Sequence, residues 1–189
     1  MRYPGISHPF AKIKHFFYSP DLAMLKDAQS VFDDFVRLLL GRPVSFVSLF
    51  GNSIRICVGR ELEEQIGFFL WFEPVWHLGS SNGILVGSRQ AQTDEPDVHA
   101  TLSLSLQEIL GRDIEHIAVD RLTTDIDVRF SGGYWIKTFV SDPTDDESWY
   151  IRDCQSDVVV TGSPKGLSLK ERSPGSHDGA QQTVVPTPD

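Results

Sequence analysis

Cysteine is scarce: the 189-residue chain carries two, Cys57 and Cys154. Neither belongs to a C-x-x-C pair, and no His/Cys spacing has the form of a zinc site, which excludes a metal-stapled or disulfide-dense framework. Cys57 sits in the alternating run Ile54-Arg55-Ile56-Cys57-Val58 and reads as a small hydrophobe on a strand. Long apolar runs are missing as well. The longest, Phe68-Phe69-Leu70-Trp71-Phe72, falls far short of the roughly 20 residues a helix needs to cross a bilayer. Met1-Arg2-Tyr3-Pro4-Gly5 leads into no apolar signal segment, so the expected location is cytoplasmic, away from membranes. Catalytic signatures are lacking too. There is no GxSxG, GxGxxG, P-loop, HExxH or EF-hand pattern, and neither cysteine has neighbours that would favour a thiolate. The expectation is a protein that is not an enzyme and holds no cofactor.

Basic residues are outnumbered: 17 Lys and Arg stand against 26 Asp and Glu, a formal net charge of −9. The N-terminus is locally basic through Arg2, Lys12 and Lys14, whereas residues 141–157 hold Asp142, Asp145, Asp146, Glu147, Asp153 and Asp157 against Arg152 alone. An acidic surface repels nucleic-acid phosphates and attracts basic partners or cations, besides keeping a protein soluble.

What the chain does have is enough apolar material for a core, with 40% hydrophobic and 11% aromatic residues. Ser19-Pro20-Asp21 reads as a helix start, and Leu22, Leu25, Phe32, Val36 and Leu39 follow as one apolar stripe. Gly41 is a natural terminator, and Pro43 blocks continuation. Short strand-like runs come next at Val44–Val47, Ile54–Val58, Ile66–Phe72, Trp76–Leu78 and Ile84–Val86. The third is nearly all apolar and so is expected to be covered on both faces. Asn82-Gly83 marks a hairpin. Residues 88–97 read as a loop, and a second helix is expected over Leu102–Leu110, ending at Gly111. Strand-like runs resume at Ile114–Val119, Ile126–Phe130, Tyr134–Val140 and Trp149–Ile151, with Ser131-Gly132-Gly133 as a turn. From about Thr161 onward Gly, Ser, Pro and Thr dominate, so residues 161–189 are expected to form a disordered tail behind a globular domain over 1–160.

The most informative pattern is a self-match. Leu39-Leu40-Gly41-Arg42 aligns with Ile109-Leu110-Gly111-Arg112, Ile54–Val58 with Ile126–Phe130, and Trp76-His77-Leu78 with Trp149-Tyr150-Ile151. Between these three alignments the offset drifts only from 70 to 73 residues. The expected fold class is therefore α+β: two repeated units, over about 20–90 and 100–155, each a helix followed by a small antiparallel β-meander, sharing one core.

The run Leu110-Gly111-Arg112-Asp113-Ile114-Glu115-His116-Ile117, with Thr124–Gly133 and Glu147-Ser148-Trp149-Tyr150-Ile151 downstream, resembles small bacterial proteins of unknown function and polymorphic-toxin immunity proteins. The resemblance covers residues 38–152. It implies a small, acidic, cytoplasmic, non-enzymatic protein and transfers no functional residue.

Three groups of residues are candidates for chemistry. The loop with Asp142, Asp145, Asp146 and Glu147 places four carboxylates within six residues. It can be a solvated turn, a patch for a basic protein partner, or a ligand set for Ca²⁺ or Mg²⁺, although it lacks the glycine and ligand order of a known calcium loop. Asp125 and Asp127 are two apart on a strand and so share a face. With Asp120 or Glu115 they could hold a divalent metal for phosphodiester hydrolysis, with Lys137 as base. The alternative for them is the solvent side of an amphipathic strand. Trp71, Trp76, Trp135 and Trp149 sit in apolar runs and read as core rather than as a ring-binding pocket, and His77, His99 and His116 are scattered. The preferred expectation is a non-catalytic acidic binding protein of the immunity type, facing a protein with a basic surface. The rivals are a metal-dependent hydrolase at Asp125 and Asp127, and a structural module that oligomerises through a sheet edge.

Overall fold

Asp27 opens the first described helix. Its backbone is extended, and its carboxylate accepts the amide of Ser30 at 2.7 Å, which caps helix α1, Ala28–Leu39. The computed structural model describes residues 27–59, 67–92, 95–142, 144 and 147–171. Helix α1 buries Val31, Phe32, Phe35 and Leu39; this includes Phe32 and Leu39 of the expected stripe, leaves Val36 half-buried and adds Val31 and Phe35. The continuous helix expected from Ser19 is corrected: a new start is fixed at Asp27, and Ser19, Leu22 and Leu25 lie outside the described residues. Gly41 then takes φ +74° and stops the helix.

Strands β1 (Val44–Phe50), β2 (Ser53–Val58) and β3 (Phe68–Phe72) run as an antiparallel meander. Strands β4 (Trp76–Ser80) and β5 (Gly83–Gly87) form the hairpin announced by Asn82-Gly83. A 3₁₀ turn over Ser88–Ala91 occupies part of the expected loop. Helix α2 spans Pro96–Leu106, earlier than the expected start at Leu102, because Pro96 fits the first helical turn, where its missing N–H leaves nothing unpaired. It continues as a 3₁₀ turn over Gln107–Ile109, buries Leu102, Leu106 and Ile109, and ends at Gly111, again at φ +74°. Strands β6 (Ile114–Val119), β7 (Ile126–Phe130) and β8 (Tyr134–Thr138) make a second meander. Then come β9 (Trp149–Asp153), β10 (Val158–Ser163) and β11 (Gly166–Glu171).

The described architecture is α+β, with two antiparallel sheets and two helices. One sheet has the order β1-β2-β3-β9-β10-β11 and the other β5-β4-β8-β7-β6. Strand β4 leaves the sheet of its predecessor β3 and pairs with β8, while β9 leaves that of β8 and pairs with β3. Helix α1 packs against β6, β10 and β11, and helix α2 against β1 and β5. Apolar side chains from both sheets and both helices merge into one core. The two Leu-Gly-Arg elbows meet at its edge. The amide of Gly41 donates to the carbonyl of Ile114 and that of Gly111 to Val44, both at 2.8 Å. The amide of Val44 donates to Arg112 at 2.9 Å and that of Ile114 to Arg42 at 3.0 Å, around a bridge between Pro43 and Asp113.

The tail boundary is corrected too. The sheet continues through Thr161 to Glu171, so the folded part extends beyond 160, and residues 172–189 lie outside the described residues. Composition misled because Thr161, Gly162 and Ser163 look like linker residues yet are buried in β10, where Gly162 lies under the indole of Trp149 and leaves it the space of a missing Cβ. Among the described residues, no helix is long and apolar enough to cross a membrane.

A candidate interaction face

The register of the six-stranded sheet divides its residues cleanly. Val47, Ile54, Ile56, Leu70 and Ile151 point into the core. Their neighbours Phe46, Phe50, Arg55, Phe69, Trp71 and Tyr150 occupy the opposite face. The expectation that β3 is covered on both faces is therefore corrected. Its burial alternates, with Phe68, Leu70 and Phe72 buried and Phe69 and Trp71 half-buried. Phe46 and Phe50 remain 38% and 44% exposed.

The outward side chains are organised. The rings of Phe69, Trp71 and Tyr150 are near-parallel, with centroids 5.6–6.1 Å apart and interplanar angles of 8–17°. Phe50 adjoins Trp71 at 5.7 Å. The guanidinium of Arg55 lies 5.0 Å from the Phe69 centroid, 5.5 Å from Phe46 and 5.8 Å from Phe50, within cation–π range of all three. Glu73 fixes the indole of Trp71. One carboxylate oxygen accepts its Nε1–H at 2.6 Å, and the other accepts the hydroxyl of Ser53 at 2.6 Å.

The acidic loop leads into this sheet. Glu147 pairs with Lys170 on β11, and the carbonyl of Ser148 accepts the amide of Glu73 at 2.9 Å. Asp142 accepts the hydroxyl of Thr144 at 2.6 Å and its amide at 2.8 Å, contacts that hold its carboxyl below the usual aspartate range. It is therefore ionised at neutral pH. Asp145 and Asp146 lie outside the described residues.

Asp125 and Asp127 are engaged by the protein itself. Asp125 accepts the amide of Val140 at 2.6 Å and the hydroxyl of Thr123 at 2.7 Å. Asp127 Oδ2 pairs with Lys137 at 3.0 Å and with Arg129 at 3.2 Å. Lys137, the base of the hydrolase reading, is thus the counter-ion of the carboxylate it was to assist. Asp120 turns to the amides of Thr123 and Leu122, which lower its carboxyl, the Thr123 contact most strongly. Among the described residues, no group of three or more His, Cys, Asp or Glu side chains converges as a metal ion would need.

The tryptophans split into two roles. Trp76 and Trp149 are fully buried, and each donates its Nε1–H at 2.7 Å to a turn carbonyl, of Asn52 and Thr124 respectively. Trp71 and Trp135 lie on the outer faces of the two sheets. Cys57 is a buried strand residue, as expected, and is not joined to the exposed Cys154. Sequence reasoning passed over Arg55, Phe46 and Phe50. The available signal was the adjacency of two strands with bulky residues at both parities and an arginine between them. No protein-family model, curated protein or solved structure matches the chain.

Proposed function

We propose that this chain is a non-catalytic binding protein of the immunity type, docking a protein partner through the outer face of the six-stranded sheet. The observation that carries the reading is the Phe69–Trp71–Tyr150 cluster with Arg55 set among Phe46, Phe50 and Phe69. Tryptophan, tyrosine and arginine are the residues that dominate interface energetics, above all when rigidly held at the centre of a patch. Trp71 is so held by Glu73. The charge of −9 and Glu147, held at this sheet by Lys170, favour a partner whose rim is basic.

The same reading treats the two halves as copies of one helix-plus-meander unit. Its support is the paired hydrogen bonds between the Gly41 and Gly111 elbows, the equal φ of the two glycines and the matching anchors of Trp76 and Trp149. A cytoplasmic setting belongs to this proposal and follows from the immunity-type role.

The test is binding to the product of the adjacent gene, measured by biolayer interferometry with purified proteins. Arg55→Ala and Trp71→Ala should each weaken the complex by about 2 kcal/mol or more, as central interface residues do. Asp142→Asn with Glu147→Gln should slow association at low salt only. No complex with the wild-type chain, or full affinity in the Trp71→Ala variant, defeats the reading.

A further inference from the structure

The outer face of the five-stranded sheet carries a cleft of about 600 Å³ lined by Glu115, Arg129, Gly133, Tyr134, Trp135 and Lys137. Its floor is built. The indole of Trp135 lies over Gly79, where any Cβ would collide with the ring, and its Nε1–H donates to the carbonyl of Ser80 at 3.2 Å. At the end of the strand Tyr134 turns to the core face, with Arg112 4.1 Å above its ring and Glu108 accepting its hydroxyl at 3.0 Å, so Trp135 alone supplies the aromatic floor. Lys137 and Arg129 are drawn together by one oxygen of Asp127, at 3.0 and 3.2 Å. Lys137 Nζ stands 5.9 Å from the Trp135 ring. Two cations share one carboxylate, so positive charge remains at this end of the cleft, while Glu115 supplies an acceptor elsewhere in its lining.

We infer that this cleft binds a small planar ring bearing an anionic group. The ring stacks on Trp135, the anion bonds Arg129 and Lys137, and a ring N–H or hydroxyl meets Glu115. The volume is within the range of small-molecule sites. Rigid aromatic floors and paired N–H donors are the means by which proteins hold rings and anions. The site is on the other sheet from the proposed docking face and does not depend on it.

Two sources supply this chemistry, a nucleotide with its phosphate and an aromatic carboxylic acid. The full chain is titrated with adenosine 5′-monophosphate and with indole-3-acetate, each beside its neutral counterpart, adenosine or indole-3-ethanol. Amide resonances of β7 and β8 report binding. A saturable response to either anion, with the neutral counterpart at least about tenfold weaker, supports the inference and identifies the source, since a charge-assisted contact is worth about that factor. Arg129→Gln and Lys137→Gln, both partly exposed and outside the core, should each weaken binding by about tenfold as well. Gly79→Ala should abolish it by lifting the indole. Equal binding of anion and neutral counterpart, an undiminished response in the Arg129→Gln and Lys137→Gln variants, or no saturable response to either anion overturns the inference.

Discussion

Gly41 and Gly111 are bound to each other's strands. Each ends a helix at φ +74° and donates its amide at 2.8 Å to the carbonyl that opens the strand after the other. No atom lies within 4 Å of the Cβ position at either glycine. The demand for glycine is therefore one of backbone conformation, with no steric part. Gly41→Ala and Gly111→Ala should each destabilise the fold by about 1–2 kcal/mol, the left-handed penalty of a Cβ. Asparagine at either position should lose less. Urea unfolding would check both, and if the halves are copies the two losses should agree within about 0.5 kcal/mol.

Gly162 makes the opposite kind of demand. Its backbone is an ordinary strand, but a Cβ there would overlap the indole of the fully buried Trp149. Gly162→Ala should destabilise by about 1–3 kcal/mol through overpacking. It should also alter the near-ultraviolet circular dichroism, because the indole must move from its bond to Thr124.

The contrast explains what the sequence could reveal. The Asn82-Gly83 hairpin and the Leu-Gly-Arg elbows are local patterns, legible from turn chemistry, and the stripe of α1 is legible only in part, at Phe32 and Leu39. Strand pairing is not. Nothing near Trp76 indicates that β4 pairs with β8 rather than with β3, because that choice is made by side chains some sixty residues away at Trp135, Ile136 and Lys137. The outer aromatic face was hidden for a related reason. Phe69 and Trp71 are as apolar as Phe68 and Leu70, and only the register against Arg55 and Tyr150 separates their sides. The loop acids are visible in the sequence, but the pairing of Glu147 with Lys170 is not, because the Gly, Ser and Lys of β11 have the composition of a tail.

Asp27 provides a pH test. The amide of Ser30 holds its carboxyl below the ordinary aspartate value, so its contribution is present above that value and is lost as pH falls through the depressed one. Asp27→Ala should have a lower melting temperature than wild type near neutrality. The gap should close as pH drops below about 3.9 towards the native-state value. A gap that is constant down to pH 2 would show that the cap acts through something other than its charge.

Asp127→Asn separates ion pairing from metal binding. The pairs it makes involve partly exposed Arg129 and Lys137, so its loss should change stability by no more than about 1 kcal/mol. Calorimetric titration of the wild-type chain with Mg²⁺ or Mn²⁺ should give no heat that this variant removes. A heat lost in Asp127→Asn would restore the hydrolase reading.

The exchange of β4 and β9 between sheets bears on synthesis at the ribosome. When β4 and β5 emerge, the strand that β4 must border has not been translated, and it appears only with Tyr134–Thr138. The first half therefore stays incomplete, with its Trp76 hairpin awaiting a sheet, until most of the second half has been made. Both sheets then close late, through contacts distant along the chain, the kind that make folding slow.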